Sequence, residues 1–363
     1  MVWLFVILLV VAAVTWYIVW ANQALKTQWL PVISEDDRPV VQHNFFVEWL
    51  LSGTITQSQM ASMVDLLWQY IYWDKQLIHA VLITLLSWWH IIIQGHPWTG
   101  KTTLVRILAR MADFSYARIQ CTPDLLPQDV IGAEIFDPKT QEFTLHTGPL
   151  VAHIVHVDEI NRATPKLQAA FLEAMQEQAI TIGNQYINLP QPFFVIATQN
   201  PYDAIGTYIL PYAQIDRFMI GAYTNALAPS EEYRLLQNND QHTLQLSLPP
   251  ISHMLHIDML QDMQRQVQNL ILSDEVLQHA LGCVHTIKAY GIQLSTRASK
   301  ALVIAAKSRA YLQGKTVVEK IDVDAVLSSV LRHRVNHLVG KDIWLEALYR
   351  IITWVAQKDD IGA

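Results

Sequence analysis

The first hydrophobic run of the chain, residues 2–21, contains no charged residue. About 20 residues at about 1.5 Å each give a helix of about 30 Å, which is the thickness of a bilayer core. Trp3 stands near one end of the run and Trp16 and Trp20 near the other, and aromatic rings favour the membrane interface. The pattern predicts a transmembrane anchor within residues 1–25. A cleaved signal peptide and a buried core helix are the alternatives.

The charges that follow this run predict its orientation. Lys26 is the first charged residue and Arg38 is the next basic one. Because basic flanks tend to stay on the cytoplasmic side, we expect a single-pass protein of the bacterial inner membrane whose remaining chain lies in the cytoplasm. Residues 26–75 are then a linker and a helical lead-in.

A second hydrophobic run covers residues 77–93, but polar side chains interrupt it at His79, Ser87 and His90. A glycine-rich loop follows it at once. A buried helix over about 76–87 that leads into a buried strand over about 89–94 explains this pattern better than another membrane span.

The loop after this strand matches the phosphate-binding pattern G-x-x-x-x-G-K-T in full, from Gly95 to Thr102. Its glycines allow successive backbone N–H groups to face phosphates, Lys101 can reach the β- and γ-phosphates, and the Thr102 hydroxyl can bind Mg²⁺. The segment TLVRILARM then predicts a helix whose N-terminus adds positive potential. The alternative is an accidental glycine turn. The residues predicted to bind ATP and Mg²⁺ are Gly95, His96, Pro97, Trp98, Thr99, Gly100, Lys101, Thr102 and Thr103.

An acidic pair follows another predicted strand, in the segment AHIVHVDEINRA. Asp158 is predicted to hold the Mg²⁺ shell and Glu159 to polarise the attacking water. His156 is an unusual residue inside such a strand, and we interpret it as a core histidine with its hydrogen bonds satisfied.

Three further elements follow this pair. Residues 164–178 have the hydrophobic spacing of an amphipathic helix, with Thr164 as N-cap and Pro165 in its first turn. Alternation around Gly183–Asn184 predicts a β-hairpin. The strand FFVIATQN then ends at Asn200, where ligands bind in parallel sheets.

Composition narrows the functional classes. The chain has 363 residues, 52% of them hydrophobic, and a net charge of -7, which argues against general affinity for nucleic acid. Its two cysteines, Cys121 and Cys283, are far apart in sequence and belong to no CxxC motif. We therefore expect buried, reduced thiols rather than a disulfide scaffold or a zinc site.

The chain resembles the MoxR family of AAA+ ATPases from about residue 74 to about residue 340. The resemblance implies an α/β P-loop fold over 76–228, with a parallel sheet sandwiched by helices, and an all-helical lid with C-terminal helices over 229–363. Residues 131–149 resemble the family's helix 2 insert, and residues 179–190 resemble the hairpin before sensor 1. The stretches that carry the resemblance are RIQCTPDLLPQDVIGAEIFDPKTQEFTLHTGPL, VDEINRATPKLQAAFLEAMQEQAITIG, PFFVIATQNPYDAIGTYILPYAQIDRF, LSTRASKALVIAAKSRAYLQGK and VLRHRV.

The resemblance also implies roles for individual residues. Lys101 and Thr102 match the Walker A pair, Asp158 and Glu159 match the Walker B pair, and Asn200 matches sensor 1. Thr102 and Asp158 would be the metal ligands. For Asn200, the alternative is a residue that only caps a turn.

Two arginines complete the implied catalytic set. Arg217 matches the arginine finger, which acts on the nucleotide of a neighbouring subunit, and Arg297 matches sensor 2 in the lid. Ordinary surface arginines are the alternative for both. The chain departs from the family at Trp98, where glycine is usual, and at Tyr212, where glutamate is common and contacts a neighbouring subunit.

The function implied by the resemblance is that of a membrane-anchored ATPase that forms a homo-oligomeric ring, a hexamer in the family. Its clients would be proteins, including proteins with von Willebrand factor A domains, and its work would be remodelling, assembly or metal-cofactor insertion. A nucleotide-dependent membrane scaffold with little turnover is the alternative. A nucleic-acid motor is a third hypothesis, which the acidic balance opposes.

Overall fold

The structure is a computed structural model that describes residues 62–65, 67–68, 74–95, 101–112, 114–200, 206–224, 233, 255–289 and 291–339. Within these ranges, no helix combines the length and the apolar character that crossing a bilayer requires. The predicted anchor within residues 1–25 and the apolar C-terminal segment 341–358 lie outside the described residues. The anchor therefore stays a prediction.

The described elements alternate between strands and helices and end in a run of helices. The strands are β1 (His90–Gly95), β2 (Tyr116–Gln120), β3 (Gly132–Asp137), β4 (Glu142–Thr147), β5 (Ile154–Asp158), β6 (Ala179–Ile182), β7 (Gln185–Asn188), β8 (Phe194–Gln199) and β9 (Phe218–Thr224). The helices are α1 (Lys75–Leu86), α2 (Lys101–Met111), α3 (Pro127–Ile131), α4 (Pro165–Glu177), α5 (Tyr212–Ile215), α6 (Ile257–Asn269), α7 (Asp274–Lys288), α8 (Thr296–Leu312) and α9 (Lys320–Val339).

Five strands form one parallel sheet in the order β2-β5-β8-β1-β9. Ile91, Ile92 and Ile93 of the central strand β1 are fully buried, although successive side chains point to opposite faces. Both faces of the sheet are therefore covered, which agrees with the predicted α/β fold. On one face, Leu167 and Phe171 of α4 pack into the same hydrophobic core as strands β1, β5 and β8.

The second hydrophobic run folds as predicted, into helix α1 and strand β1. Asp74 caps α1, because its Oδ1 accepts a hydrogen bond from the Leu77 N–H at 2.8 Å. Trp88, with a φ of 60°, lies in the turn that reverses the chain into β1. The apolar residues of α1 are buried, as expected for a core element rather than a membrane span.

Two small antiparallel hairpins stand apart from the sheet, β3–β4 and β6–β7. The second hairpin turns at Gly183, which has a φ of 57°, and this confirms the prediction from the Gly–Asn pair. Helix α4 also begins as predicted: the Thr164 side chain accepts a hydrogen bond from the Leu167 N–H, and Pro165 follows in the first turn.

Helices α6 to α9 form the lid, and α9 attaches it to the sheet through a buried arginine. Arg334 is fully buried, and its Nε donates to Asp216 Oδ1 at 2.9 Å. Its Nη2 donates to the backbone oxygens of Asp216 and Phe218 at 3.1 and 2.8 Å, and its Nη1 to that of Met219 at 3.1 Å. A buried charge is tolerated only when it is paired and hydrogen-bonded, and this one is both.

The residue before Arg334 on α9 makes the contact closer still. His333 Nε2 lies 3.1 Å from the Phe218 carbonyl oxygen, and its side chain covers Gly221 of β9. A Cβ at Gly221 would lie 2.4 Å from His333 Cβ, which leaves no space for any side chain there. The start of β9 and helix α9 are therefore fitted to each other by charge and by shape.

Replacing Arg334 with methionine should destabilise the protein by about 3–5 kcal/mol, because the substitution leaves Asp216 buried without its main partner. Arg265→Met is the matched control: Arg265 forms an exposed pair with Asp262, and losing such a pair costs about 1 kcal/mol or less. Urea unfolding of both variants measures the difference. Equal unfolding midpoints for the two variants would contradict the role given to Arg334.

Candidate functional site

The predicted phosphate loop lies between strand β1 and helix α2. Gly95 ends β1 and Lys101 begins α2, whereas residues 96–100 lie outside the described residues. A Cβ at Gly95 would lie 1.9 Å from Thr224 Oγ1 of the neighbouring strand β9, so this position requires glycine for close strand packing. Thr102 and Thr103 occupy the first turn of α2.

Lys101 is held close to the end of strand β1. Its Nζ donates a hydrogen bond to the Gly95 backbone oxygen at 3.0 Å. Partial burial lowers the pKa of Lys101, and the nearby carboxylates of Asp158 and Glu159 partly offset that effect. A partly desolvated ammonium at the N-terminus of a helix is a strong site for phosphate oxygens.

Asp158, the last residue of β5, has partners at both carboxylate oxygens. Thr198 donates its hydroxyl to Oδ1 at 2.5 Å, and Arg118 donates to Oδ2 from Nη2 at 2.6 Å and from Nε at 3.2 Å. Burial acts to raise the pKa of Asp158, but the hydrogen bonds from Thr198 and Arg118 and the positive charge of Arg118 lower it overall. Asp158 is therefore held ionised, as a metal ligand must be.

Glu159 follows in a left-handed backbone conformation, with a φ of 56°. Such a conformation costs energy for a residue other than glycine and is found most often at functional sites. The Glu159 N–H donates to Thr198 Oγ1 at 3.0 Å. The carboxylate accepts hydrogen bonds from Gln120 at 3.2 Å and pairs with Arg162 at 3.1 Å, so it points along the edge of the sheet.

Strand β8 delivers Asn200 to this edge, since β8 lies between β1 and β5. The backbone oxygen of Asn200 accepts a hydrogen bond from Asn161 Nδ2 at 3.2 Å. Next to it, Gln199 Oε1 accepts a hydrogen bond from Gln94 Nε2 at 2.9 Å and ties β8 to β1. The structure thus brings Lys101, the acidic pair and Asn200 to one edge of the sheet.

Sequence reasoning missed two residues of this site, Thr198 and Arg118. Thr198 lies two residues before Asn200, and the period of a strand places these two residues on the same face. That spacing is a signal that the sequence does contain. Arg118 has no such signal, because only the pairing of β2 with β5, in which Arg118 lies opposite His156, brings it to Asp158.

The interpretation of His156 is correct in one respect and wrong in the other. The side chain is fully buried, and burial first of all lowers its pKa to about 4, so it is neutral at physiological pH. Its Nδ1 lies 3.5 Å from the Tyr116 hydroxyl. Its Nε2 makes no hydrogen bond to any described residue and lies 3.8 Å from Asp158 Oδ1. His156 is therefore a core histidine with only one of its two ring nitrogens near a hydrogen-bond partner. Strand β5 places it two residues before Asp158.

The two predicted arginines lie at the opposite edge of the sheet. Arg217 precedes β9, and β9 runs parallel to β1 with Phe218 beside His90 and Thr224 beside Gly95. His90 and Gly95 are five residue steps apart along β1, which corresponds to about 17 Å. This distance exceeds the length of an arginine side chain. Arg217 therefore does not reach Gly95, the first residue of the phosphate-binding pattern in its own chain.

Arg297 lies at the same edge as Arg217. Its Nη1 is 3.7 Å from Asp216 Oδ2, an oxygen that also accepts a hydrogen bond from the Ser295 hydroxyl at 2.7 Å. Arg217 donates from Nη2 to Gln176, while its Nε is buried and has no hydrogen-bond partner within the part of the chain that the structure describes. Burial and then the positive charge of Arg297 lower the pKa of Arg217. Two adjacent guanidinium groups at one edge form a site that attracts an anion.

Tyr212, where glutamate is common in the family, contacts the lid of its own chain. Its ring stacks on His337 of α9, with 6.3 Å between the ring centroids. The Tyr212 ring therefore belongs to the junction between core and lid.

The donor set at the first edge suits a magnesium ion. Thr102 and Asp158 offer a hydroxyl and an ionised carboxylate, which are the hard oxygen ligands that Mg²⁺ prefers. Arg118 binds Asp158 Oδ2, so its guanidinium must move away before that oxygen can coordinate the ion directly.

The chain matches two protein-family models in succession. Residues 90–220 match the ATPase family associated with various cellular activities (AAA), and residues 283–344 match the AAA lid domain. The first match covers most of the sheet, together with the phosphate-loop pattern and the acidic pair. The second covers the end of α7 and all of α8 and α9.

Individual relatives agree with these matches. The chain is 38% identical to the uncharacterized protein YeaC of Bacillus subtilis over 70% of this chain and 79% of that protein. It is 35% identical to the chaperone MoxR1 of Mycobacterium tuberculosis over 72% of this chain and 71% of that protein. The crystal structure of a candidate ATPase from Cytophaga hutchinsonii superposes with a TM-score of 0.72 at 27% identity, covering 85% of this chain and 95% of that one. The chain therefore belongs to the MoxR family of AAA+ ATPases.

Proposed function

We propose that this ATPase is anchored in the membrane and uses ATP hydrolysis to remodel protein partners, with each active site shared between two subunits of a ring. The observation that carries the proposal is the separation of the catalytic groups. Lys101 and the acidic pair lie at one edge of the sheet, whereas Arg217 and Arg297 lie at the other. A site divided in this way is complete only when one subunit meets the next.

The first edge provides the groups that act within one chain. Lys101 would neutralise the β- and γ-phosphates, and Glu159 would orient and polarise the attacking water with help from Asn200. Mg²⁺ held by Thr102 and Asp158 would supply further positive charge at the phosphates. Thr198 keeps both acidic residues in position, because one hydroxyl binds the Asp158 side chain and the Glu159 backbone.

The second edge provides the groups that act on a neighbour. The fixed positive charges of Arg217 and Arg297 would stabilise the charge that develops on the γ-phosphate of the adjacent subunit. Both arginines are connected to Asp216. Arg217 is its neighbour in sequence, and Arg297 contacts its carboxylate at 3.7 Å. Because Arg217 belongs to the sheet and Arg297 to the lid, the two charges stay side by side only while the lid is docked on Asp216.

An exposed apolar hairpin supports the proposal that the partners are proteins. Ile135, Phe136 and Phe143 on the β3–β4 hairpin are each about half exposed or more, and the two phenylalanine rings lie 5.2 Å apart. Exposed aromatic clusters on soluble domains commonly mark contact sites for other proteins. The relative MoxR1 carries the name chaperone, which supports the same proposal.

The finer parts of the proposal come from the sequence. The uncharged run of residues 2–21 supports a single-pass anchor with the ATPase in the cytoplasm. The family resemblance supports a hexameric ring, clients with von Willebrand factor A domains, and roles in assembly or metal-cofactor insertion. A membrane scaffold that binds ATP but turns over little remains the second candidate.

Replacing Thr198 with valine should lower the rate of ATP hydrolysis about 10- to 100-fold while nucleotide binding is retained, because the isosteric change removes the hydrogen bonds that orient Asp158 and Glu159. Steady-state ATPase assays and nucleotide titrations measure the two effects. Thr286→Val, which removes a hydroxyl bonded within α7, is the control and should keep full activity. Full activity of Thr198→Val would show that this hydroxyl does not position the acids.

Mixing two inactive variants tests whether Arg217 acts between subunits. Arg217→Ala should lose about 1,000-fold or more in turnover, the usual loss when an arginine finger is removed. Lys101→Ala should be inactive because it cannot hold the phosphates. Mixed rings should regain activity, since an intact Lys101 site of one chain then meets an intact Arg217 of the other. Absence of any recovery in rings shown to contain both chains would place Arg217 in its own chain's site.

Glu159→Gln distinguishes the remodeller from the scaffold. The variant should bind ATP normally and lose about 100-fold or more in turnover, because the amide cannot accept a proton from water. A remodeller should then hold its clients in stable complexes and lose its cellular role, whereas a scaffold should keep that role. Phe143→Ser in the same background should release the clients if the β3–β4 hairpin contacts them.

A further inference from the structure

Three side chains with metal-ligand chemistry meet between two helices of the lid, away from the nucleotide site. His279 and Cys283 are one turn apart on α7, so both project from the same face of that helix. Asp324 lies near the start of α9 and faces them. One Nε2, one Sγ and one carboxylate oxygen from these residues lie within 4.8 Å of one another.

The pairwise distances are close to those of a coordination shell. His279 Nε2 lies 2.7 Å from Asp324 Oδ1 and 3.9 Å from Cys283 Sγ. Zinc binds sulfur at about 2.3 Å and nitrogen or oxygen at about 2.0–2.1 Å, so a tetrahedral site needs separations of roughly 3.6 Å between S and N and roughly 3.3 Å between N and O. The separation between His279 Nε2 and Asp324 Oδ1 and that between His279 Nε2 and Cys283 Sγ each differ from these values by well under 1 Å.

The surroundings of the cluster are partly closed and partly open. Cys283 is fully buried and His279 nearly so, whereas the Asp324 side chain keeps about a fifth of its surface exposed, at 20%. Burial and then the negative charge of Asp324 raise the pKa of the Cys283 thiol to about 12. Without a cation the thiol is therefore protonated, and the exposed side of Asp324 is a route by which an ion and a water molecule can enter.

An exposed ion pair also joins the two helices beside the cluster. Lys320 Nζ pairs with Glu275 Oε1 at 2.9 Å, one turn before Asp324 on α9 and one turn before His279 on α7. The ion pair and the cluster therefore occupy successive turns of the same contact.

We propose that His279, Cys283 and Asp324 form a binding site for a zinc-class divalent transition metal that links α7 to α9. Binding replaces the hydrogen bond between His279 and Asp324 with two metal–ligand bonds. The Cys283 thiol loses its proton to solvent and forms the third bond, and a water molecule completes the shell. No electron is transferred in this step.

The ligand chemistry selects the class of ion. A thiolate and an imidazole suit Zn²⁺ and related metals and are poor ligands for Mg²⁺, so this site is chemically distinct from the nucleotide site. The charges of the ion, the thiolate and the carboxylate sum to zero with a neutral histidine. A neutral assembly is the arrangement that a largely buried position tolerates best.

The sequence argued against a zinc site, since neither cysteine belongs to a CxxC motif. The tertiary structure changes that expectation because it adds a ligand from a helix 41 residues beyond Cys283 and a histidine one turn before it. A bound ion would also stiffen the start of α9, the helix whose Arg334 holds the lid to Asp216.

Cobalt binding to the full-length protein tests the proposal directly. The purified chain is stripped of metal with a chelator, saturated with Mg²⁺-ADP and titrated with Co²⁺ as a spectroscopic substitute for Zn²⁺. One equivalent should produce the near-ultraviolet charge-transfer band of a thiolate–cobalt bond and visible bands of tetrahedral intensity. Zn²⁺ should displace the cobalt and raise the melting temperature of the lid.

Matched variants identify the ligands. Cys283→Ser should lose the charge-transfer band, and Asp324→Asn should weaken cobalt binding at least tenfold. Cys121→Ser is the control, because Cys121 is also buried and reduced but lies in the sheet domain, and it should leave the band unchanged. Circular dichroism confirms that each variant is folded. The proposal is overturned if the folded wild type gives no thiolate–cobalt band, or if Cys283→Ser retains it.

Discussion

The buried pair of Asp216 and Arg334 is the interaction on which the arrangement of this protein depends. It fixes helix α9 of the lid to the start of strand β9, where three backbone carbonyl groups complete the shell of the guanidinium. The same aspartate contacts Arg297 and Ser295 at the start of α8. Because a buried charge without its partner is costly, the lid and the sheet have one strongly preferred relative position.

This position decides where positive charge is presented. Arg217 follows Asp216 directly, and Arg297 is held by the same carboxylate, so the two guanidinium groups stand at one edge of the sheet. The phosphate loop and the acidic pair stand at the other edge, where Thr198 binds both acidic residues. In the ring that we propose, these two groups of residues would meet between adjacent subunits.

Much of this could be predicted from local pattern. The phosphate loop, the acidic pair, the capped helix α4 and the hairpin at Gly183 depend on residues that are close in sequence, and their spacing contains the information. Thr198 also had a local signal, because alternate residues of a strand share a face. Arg118 and Arg334 had no local signal. Arg118 lies 40 residues from Asp158 in sequence, and Arg334 lies 118 residues from Asp216. Only strand pairing and helix packing bring each arginine to its carboxylate.

The sequence by itself determined the class of chemistry, because a glycine-rich loop followed by a lysine, a threonine and a distant acidic pair has few other uses. Hydrophobic periodicity also predicted α1, β1, α4 and β8, because the spacing of apolar residues follows burial, whereas β2, β3 and β4 were not predicted from it. The tertiary structure alone decided that Arg297 lies beside Asp216 and Arg217, at the edge of the sheet opposite the acidic pair. It alone placed His279 and Cys283 of α7 beside Asp324 of α9. The physical reason is the same in both cases: sheet order and helix packing set distances that sequence separation does not encode.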